Sequence, residues 1–128
     1  MNDSNNPLSP HLQIYRWHIS SLLSITHRIA GVINLQALIF IFFWLIALSL
    51  GESNYESFLL IINSFFGKFI LIGFTWSMTF HILSGIRHLV WDFGYGFEIK
   101  TANISGIIVI VSSLALTILF WLFAKGFI

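Results

Sequence analysis

Residues 69–86 read FILIGFTWSMTFHILSGI, an apolar run with no Asp, Glu, Lys or Arg that nevertheless carries a histidine, His81. A helix needs about 20 apolar residues to cross a hydrocarbon core of about 30 Å. Two more uncharged runs, 29–51 and 101–124, lie on either side of it. None alternates apolar and polar residues as a membrane barrel strand would. The chain therefore reads as an all-α membrane protein with three transmembrane helices, over residues 21–49, 63–91 and 103–124.

Composition supports this. The chain is 57% hydrophobic and 9% charged, with a mean hydropathy of +0.89, whereas soluble domains carry about 25% charged residues. A net charge of +1 gives no electrostatic footprint for nucleic acid. The absence of cysteine excludes disulfides, thiolate catalysis and Cys-ligated iron–sulfur clusters within this chain. No Ser/His/Asp set, phosphate loop or carboxylate pair points to hydrolysis or phosphoryl transfer. Three helices enclose little interior, so inward polar groups are expected to face a partner chain.

Residues 1–20 form a polar N-terminal segment, and residues 21–128 the three-helix anchor domain. Met1 to Pro10 holds no Lys or Arg and matches neither a secretory signal nor an Arg-rich transit peptide, so insertion without a cleaved presequence is expected. Arg16 and Arg28 lie at the start of the first helix, and Arg87 and Lys100 flank the second connection. The first connection holds Glu52 and Glu56 and no basic residue. The positive-inside rule then places the N-terminus and the second connection on the cytoplasmic or matrix side, and the C-terminus outside.

Two polar stripes run along the helices. Gly73, Ser77, His81, Gly85 and His88 share one face of the second helix. Small residues there serve either close helix packing or the docking of a flat cofactor. Ser24, His27 with Arg28, Gly31 and Asn34 form the stripe on the first helix. Arg28, His27, Arg87 and His88 are expected at one membrane surface. They act there as interfacial anchors or as a cationic nest for carboxylates or a polarised quinone carbonyl. Asp92, beside Arg87, is an ion-pair partner, a helix cap or part of a proton or quinone path.

A charge at the depth of His81 costs about 2.5–3.5 kcal/mol on insertion scales, whereas a neutral imidazole is a good metal ligand. His88 is seven residues away, about 10 Å along a helix, too far to share one haem axially. With the two arginines taken as level, the first helix offers Asn34 at the depth of His81, and the third offers Val111. If His81 ligates haem iron, the second ligand must come from another polypeptide. The other reading is a neutral histidine hydrogen-bonded between helices.

At these residues the chain resembles the larger cytochrome b membrane-anchor subunits of succinate dehydrogenase, respiratory complex II. One matching segment is Pro7-Leu8-Ser9-Pro10-His11-Leu12-Gln13-Ile14-Tyr15, followed by Ser24-Ile25-Thr26-His27-Arg28 and Gly31. The other is His81-x-x-x-Gly85-Ile86-Arg87-His88-x-x-x-Asp92-Phe93-Gly94-Tyr95. Asn6, Trp17 and Ala30 depart from the family pattern, which often has Arg, Pro and a hydroxyl residue there.

The resemblance implies that His81 is an axial ligand of haem b, with the sixth ligand from the small cytochrome b anchor subunit. It implies that His27, Arg28 and His88 surround the haem propionates, and that Ser24 and Arg28 line a ubiquinone site. The iron–sulfur and flavoprotein subunits are the implied soluble partners, with succinate oxidised on the flavoprotein. The implied location is a bacterial cytoplasmic or mitochondrial inner membrane, with membrane lipid around the helices. Two alternatives stand beside this reading: a fumarate reductase-type anchor that oxidises quinol, and a cofactor-free structural subunit of another membrane complex.

Overall fold

Four helices fill residues 17–125, the part of the chain that the computed structural model describes. They are α1 (Ile19–Ser49), α2 (Glu52–Asn63), α3 (Phe65–Asp92) and α4 (Ile99–Lys125). Helices α1, α3 and α4 are long and apolar enough to cross a membrane and correspond to the three expected spans. The segment Pro7–Tyr15 and Arg16 lie outside the described residues.

The first connection, where the sequence predicts no element, holds the extra helix α2. Its half-buried residues Tyr55, Phe58, Leu59 and Ile62 recur at i, i+3, i+4 and i+7, one face of a helix. Glu52 in its first turn complements the helix dipole. A sharp corner joins α2 to α3. There Ser64 Oγ accepts a hydrogen bond from the Gly67 amide at 3.1 Å and donates one to the Ile61 carbonyl at 2.6 Å. Only glycine fits the next turn, because a Cβ on Gly67 would run into the Ile61 carbonyl oxygen and come within 2.7 Å of Ile62 Cα. Gly67→Ala is therefore expected to destabilise the chain by about 1–3 kcal/mol, the usual cost of overpacking. Thermal unfolding in detergent measures it, and an unchanged midpoint would show that the corner can open without cost.

At the other end, α3 closes with a Schellman motif. The Gly94 amide donates to Trp91 O at 2.8 Å and the Tyr95 amide to Val90 O at 3.2 Å. Gly94 and Gly96 adopt φ of 87° and 81°, the left-handed backbone that glycine takes without strain. Helix α4 begins at Ile99, a turn earlier than residue 103, because the Ala102 amide already bonds to Glu98 O at 2.8 Å.

Among the described residues, only Leu23, Ala30, Phe80 and Val109 form a buried apolar core. Polar bonds between helices supplement it. Ser77 Oγ donates to Ala30 O at 3.0 Å, joining α3 to α1. Thr79 pairs with Thr117 at 3.1 Å, and Trp121 Nε1 donates to Thr75 Oγ1 at 3.3 Å, joining α3 to α4. Such bonds average about 0.6 kcal/mol each in membranes. Helix α1 buries only Leu23 and Ala30, so most of its surface is left for lipid or a partner chain.

Candidate histidine site

The two polar stripes face each other. Helix α1 presents His27 and α3 presents His81, with their rings stacked at 4.1 Å between centroids and only 8° apart in plane. The His88 ring lies 5.3 Å from that of His27. Gly31 lies beside the same ring, since a Cβ there would stand in ordinary contact, 3.5 Å from the His81 ring. Three of the expected site residues, His27, His81 and His88, thus form one cluster.

Hydrogen bonding orients these rings. His81 Nδ1 lies 3.3 Å from the His27 carbonyl oxygen, and His88 Nδ1 lies 2.7 Å from that of Ser84. A carbonyl only accepts, so each Nδ1 carries a proton, which on a neutral His81 leaves Nε2 with its lone pair. A backbone carbonyl on one ring nitrogen is how proteins hold the other ready for a metal. His27 Nδ1 is enclosed and has no hydrogen-bond partner, an exception among buried polar groups. Because His27 lies flat against His81, those two rings cannot stand trans across one iron. Among the described residues, no three His, Cys, Asp or Glu side chains converge on a metal site. The donor set therefore fits a metal that takes one imidazole from this chain, and a haem iron meets that description.

Ser24 and Arg28 lie one turn apart on α1, Ser24 half-buried and Arg28 exposed. Neither makes a side-chain hydrogen bond among the described residues, so both remain open to a ligand or neighbouring chain.

The structure corrects the expected register. His81 lies level with His27 and Gly31, not with Asn34. The cause is the assumption that Arg28 and Arg87 share a depth. Gly106 of α4 packs between Leu23, Ile19 and the Arg87 guanidinium, so the level of Arg87 on α1 is more than a turn before Arg28.

Arg87 also leaves the expected cationic nest. Its side chain is only 6% exposed and turns toward α4. Nε donates to Ser105 Oγ at 2.9 Å and Nη2 to Ala102 O at 2.8 Å. The guanidinium carbon stands 3.9 Å above the Trp91 ring, and Trp91 Nε1 donates to Gly96 O at 3.2 Å. This clasp joins the end of α3 to the start of α4, and it replaces the suggested ion pair with Asp92, which is exposed. Adjacency in Arg87-His88 hid the split, since neighbours on a helix point about 100° apart. Lysine lacks the planar fork and stacks poorly. Arg87→Lys is expected to cost about 1.5–3 kcal/mol, the worth of hydrogen bonds to a charged group. Chemical denaturation in detergent tests this, and a loss under 0.5 kcal/mol would demote the clasp to a surface contact.

Fold and site together define a polytopic helical membrane subunit with an inward histidine cluster in its paired first and second spans. The family model described as "Succinate dehydrogenase/Fumarate reductase transmembrane subunit" matches residues 2–120, and the chain belongs to this family. Similar proteins include the succinate dehydrogenase cytochrome b556 subunit of Rickettsia felis, 45% identical over 92% of both chains. The protein of the same name from Paracoccus denitrificans is 37% identical over 93% of this chain and 92% of its own. The mitochondrial succinate dehydrogenase cytochrome b560 subunit of Mus musculus is 40% identical over 84% of this chain and 65% of its own.

Proposed function

We propose that this chain is the cytochrome b anchor of a succinate:ubiquinone oxidoreductase, holding haem b through His81 and contributing Ser24 and Arg28 to the ubiquinone site. The observation that carries the reading is the His27–His81 pair. It fixes one imidazole by its Nδ1–H, leaves Nε2 for a metal, and lays the neighbouring histidine where it cannot be the second axial ligand. That second ligand then comes from a small anchor subunit. Held by His81, haem b would supply one-electron transfer.

The chain's own residues do the rest. His27 and His88, whose rings lie 5.3 Å apart, would receive the haem carboxylates. Ser24 would donate a hydrogen bond to a quinone oxygen. Arg28 would stabilise the negative charge that builds on that oxygen during reduction to quinol, an electrostatic role favoured in a low-dielectric pocket. Succinate is oxidised on the flavoprotein, and electrons arrive through the iron–sulfur subunit. The N-terminus and the α3–α4 connection would face the cytoplasm or matrix, where those subunits dock and protons enter. The relatives named above are succinate dehydrogenase subunits, which favours quinone reduction over the fumarate-reducing direction.

Purification of the tagged chain from its own membranes tests this. The expected result is co-purification with three further polypeptides and a reduced haem b α-band. A stable complex with no haem and no succinate oxidation would refute the reading.

A further inference from the structure

Helix α2 lies at the end of the spans away from the α3–α4 connection, and it does not stand clear of them. Its Phe58 ring packs against Phe40 of α1 at 5.5 Å, and Phe40 packs against Phe74 of α3 at 5.8 Å. Phe40 lies about two and a half turns, roughly 14 Å, inside the end of α1, and Phe74 lies as far inside the start of α3. Phe58 therefore reaches below the ends of both spans. The rest of α2's second half is apolar and bare, with Leu60 76% and Ile61 66% exposed. Phe65, Phe66 and Phe69 carry the patch around the corner onto α3, at 87%, 71% and 66%.

From this we infer that α2 is a fourth lipid-contacting helix. It lies in the leaflet opposite the α3–α4 connection, with its C-terminal half and the start of α3 sunk in hydrocarbon. Three observations favour lipid as the occupant. The patch is continuous with the apolar surface of a span that a membrane surrounds. In water, such a contiguous apolar patch would be an association surface. Charge is also arranged as at a bilayer boundary. Glu52 and Glu56 stand in the first half of α2, residues 57–67 carry no charge, and the next charge is Lys68. Helical side chains lean toward the N-terminus of their helix, so Lys68 leans back to the surface, its stem along apolar groups and its ammonium at lipid phosphate. A partner chain seated here would have to desolvate that ammonium. Finally, the corner is bonded within the chain. The Ser64 amide donates to Ile61 O at 3.3 Å and the Lys68 amide to Ser64 O at 3.0 Å, beside the two bonds of the Ser64 hydroxyl. Backbone between helices needs such partners where no water reaches it.

The test places single spin-labelled cysteines in the assembled complex in liposomes. This chain has no cysteine of its own, and the unsubstituted complex gives the background from its partners. Labels at Leu60→Cys and Phe66→Cys are expected to collide with dissolved oxygen several-fold more often than with a water-soluble nickel chelate. A label at Glu52→Cys is expected to show the reverse, and one at Lys68→Cys to meet both reagents. All four positions are exposed, so the substitutions remove no packing seen in the chain. Nickel collisions dominating at Leu60→Cys and Phe66→Cys would overturn the inference by putting the patch in water. Few collisions there with either reagent would overturn it by putting a partner chain or a second copy on the patch. Oxygen alone reaching Lys68→Cys would contradict its place at the phosphates.

Discussion

Replacing His81 with alanine is expected to abolish the reduced haem b α-band of the assembled complex. The argument is one of supply. The described residues hold three histidines close enough to matter, and two are unsuited to the same iron. His27 lies face to face with His81 at 4.1 Å. His88 is tied to Ser84 O two turns along α3. Alanine leaves His27 as the one imidazole at that level among the described residues, and it stands on the other helix from the ligand it would have to replace. His27→Ala and His88→Ala are expected to keep the band, with altered haem potential, because the proposed function puts them beside the carboxylates and not on the metal. An α-band unchanged in His81→Ala and lost in His27→Ala would reverse the assignment.

A second large effect is expected from Arg28→Leu. Quinone reduction should fall about 100-fold, the scale for removing one preorganised donor from developing negative charge. Succinate oxidation with a soluble dye as acceptor should survive, because the proposed function puts that chemistry on another subunit. Arg28 suits this separation of effects, being exposed and without a hydrogen-bond partner among the described residues, so its loss removes no bond seen to hold the helices. Ser24→Ala should show the same pattern more mildly, since a hydroxyl hydrogen bond carries no charge. Equal loss of both activities in Arg28→Leu would point to failed assembly instead of a quinone role.

Most of the architecture is legible in the residues. Three uncharged runs give three spans, because lipid tolerates backbone only when its polar groups bond to one another within a helix. The stripes of small and polar residues on the first two spans do face each other, since a four-residue spacing keeps side chains on one side of a helix. The corner at Gly67 and the clasp at Arg87 were hidden for different reasons. Helix α2 is short and mixed in character, and its periodicity at Tyr55, Phe58, Leu59 and Ile62 is overshadowed by the longer runs beside it.

The direction of Arg87 is a tertiary fact. Nothing in Arg87-His88 says that one side chain turns to α4 and the other to α1 until the hydroxyl of Ser105 and the ring of Trp91 are in place. The register error has the same origin. It came from levelling two arginines by charge, when one is exposed on α1 and the other is buried against α4. The single-ligand expectation for His81 leaned on that register, which put Asn34 at its depth; with His27 there instead, it rests on the stacking of the two rings and on the distance to His88.

Electron paramagnetic resonance of the oxidised complex tests the ligation by His81 most directly, since two axial imidazoles hold ferric haem in a low-spin state. Wild type is expected to give a low-spin ferric signal that vanishes, or converts to high spin, in His81→Ala. The same low-spin signal persisting unaltered in His81→Ala would contradict the account.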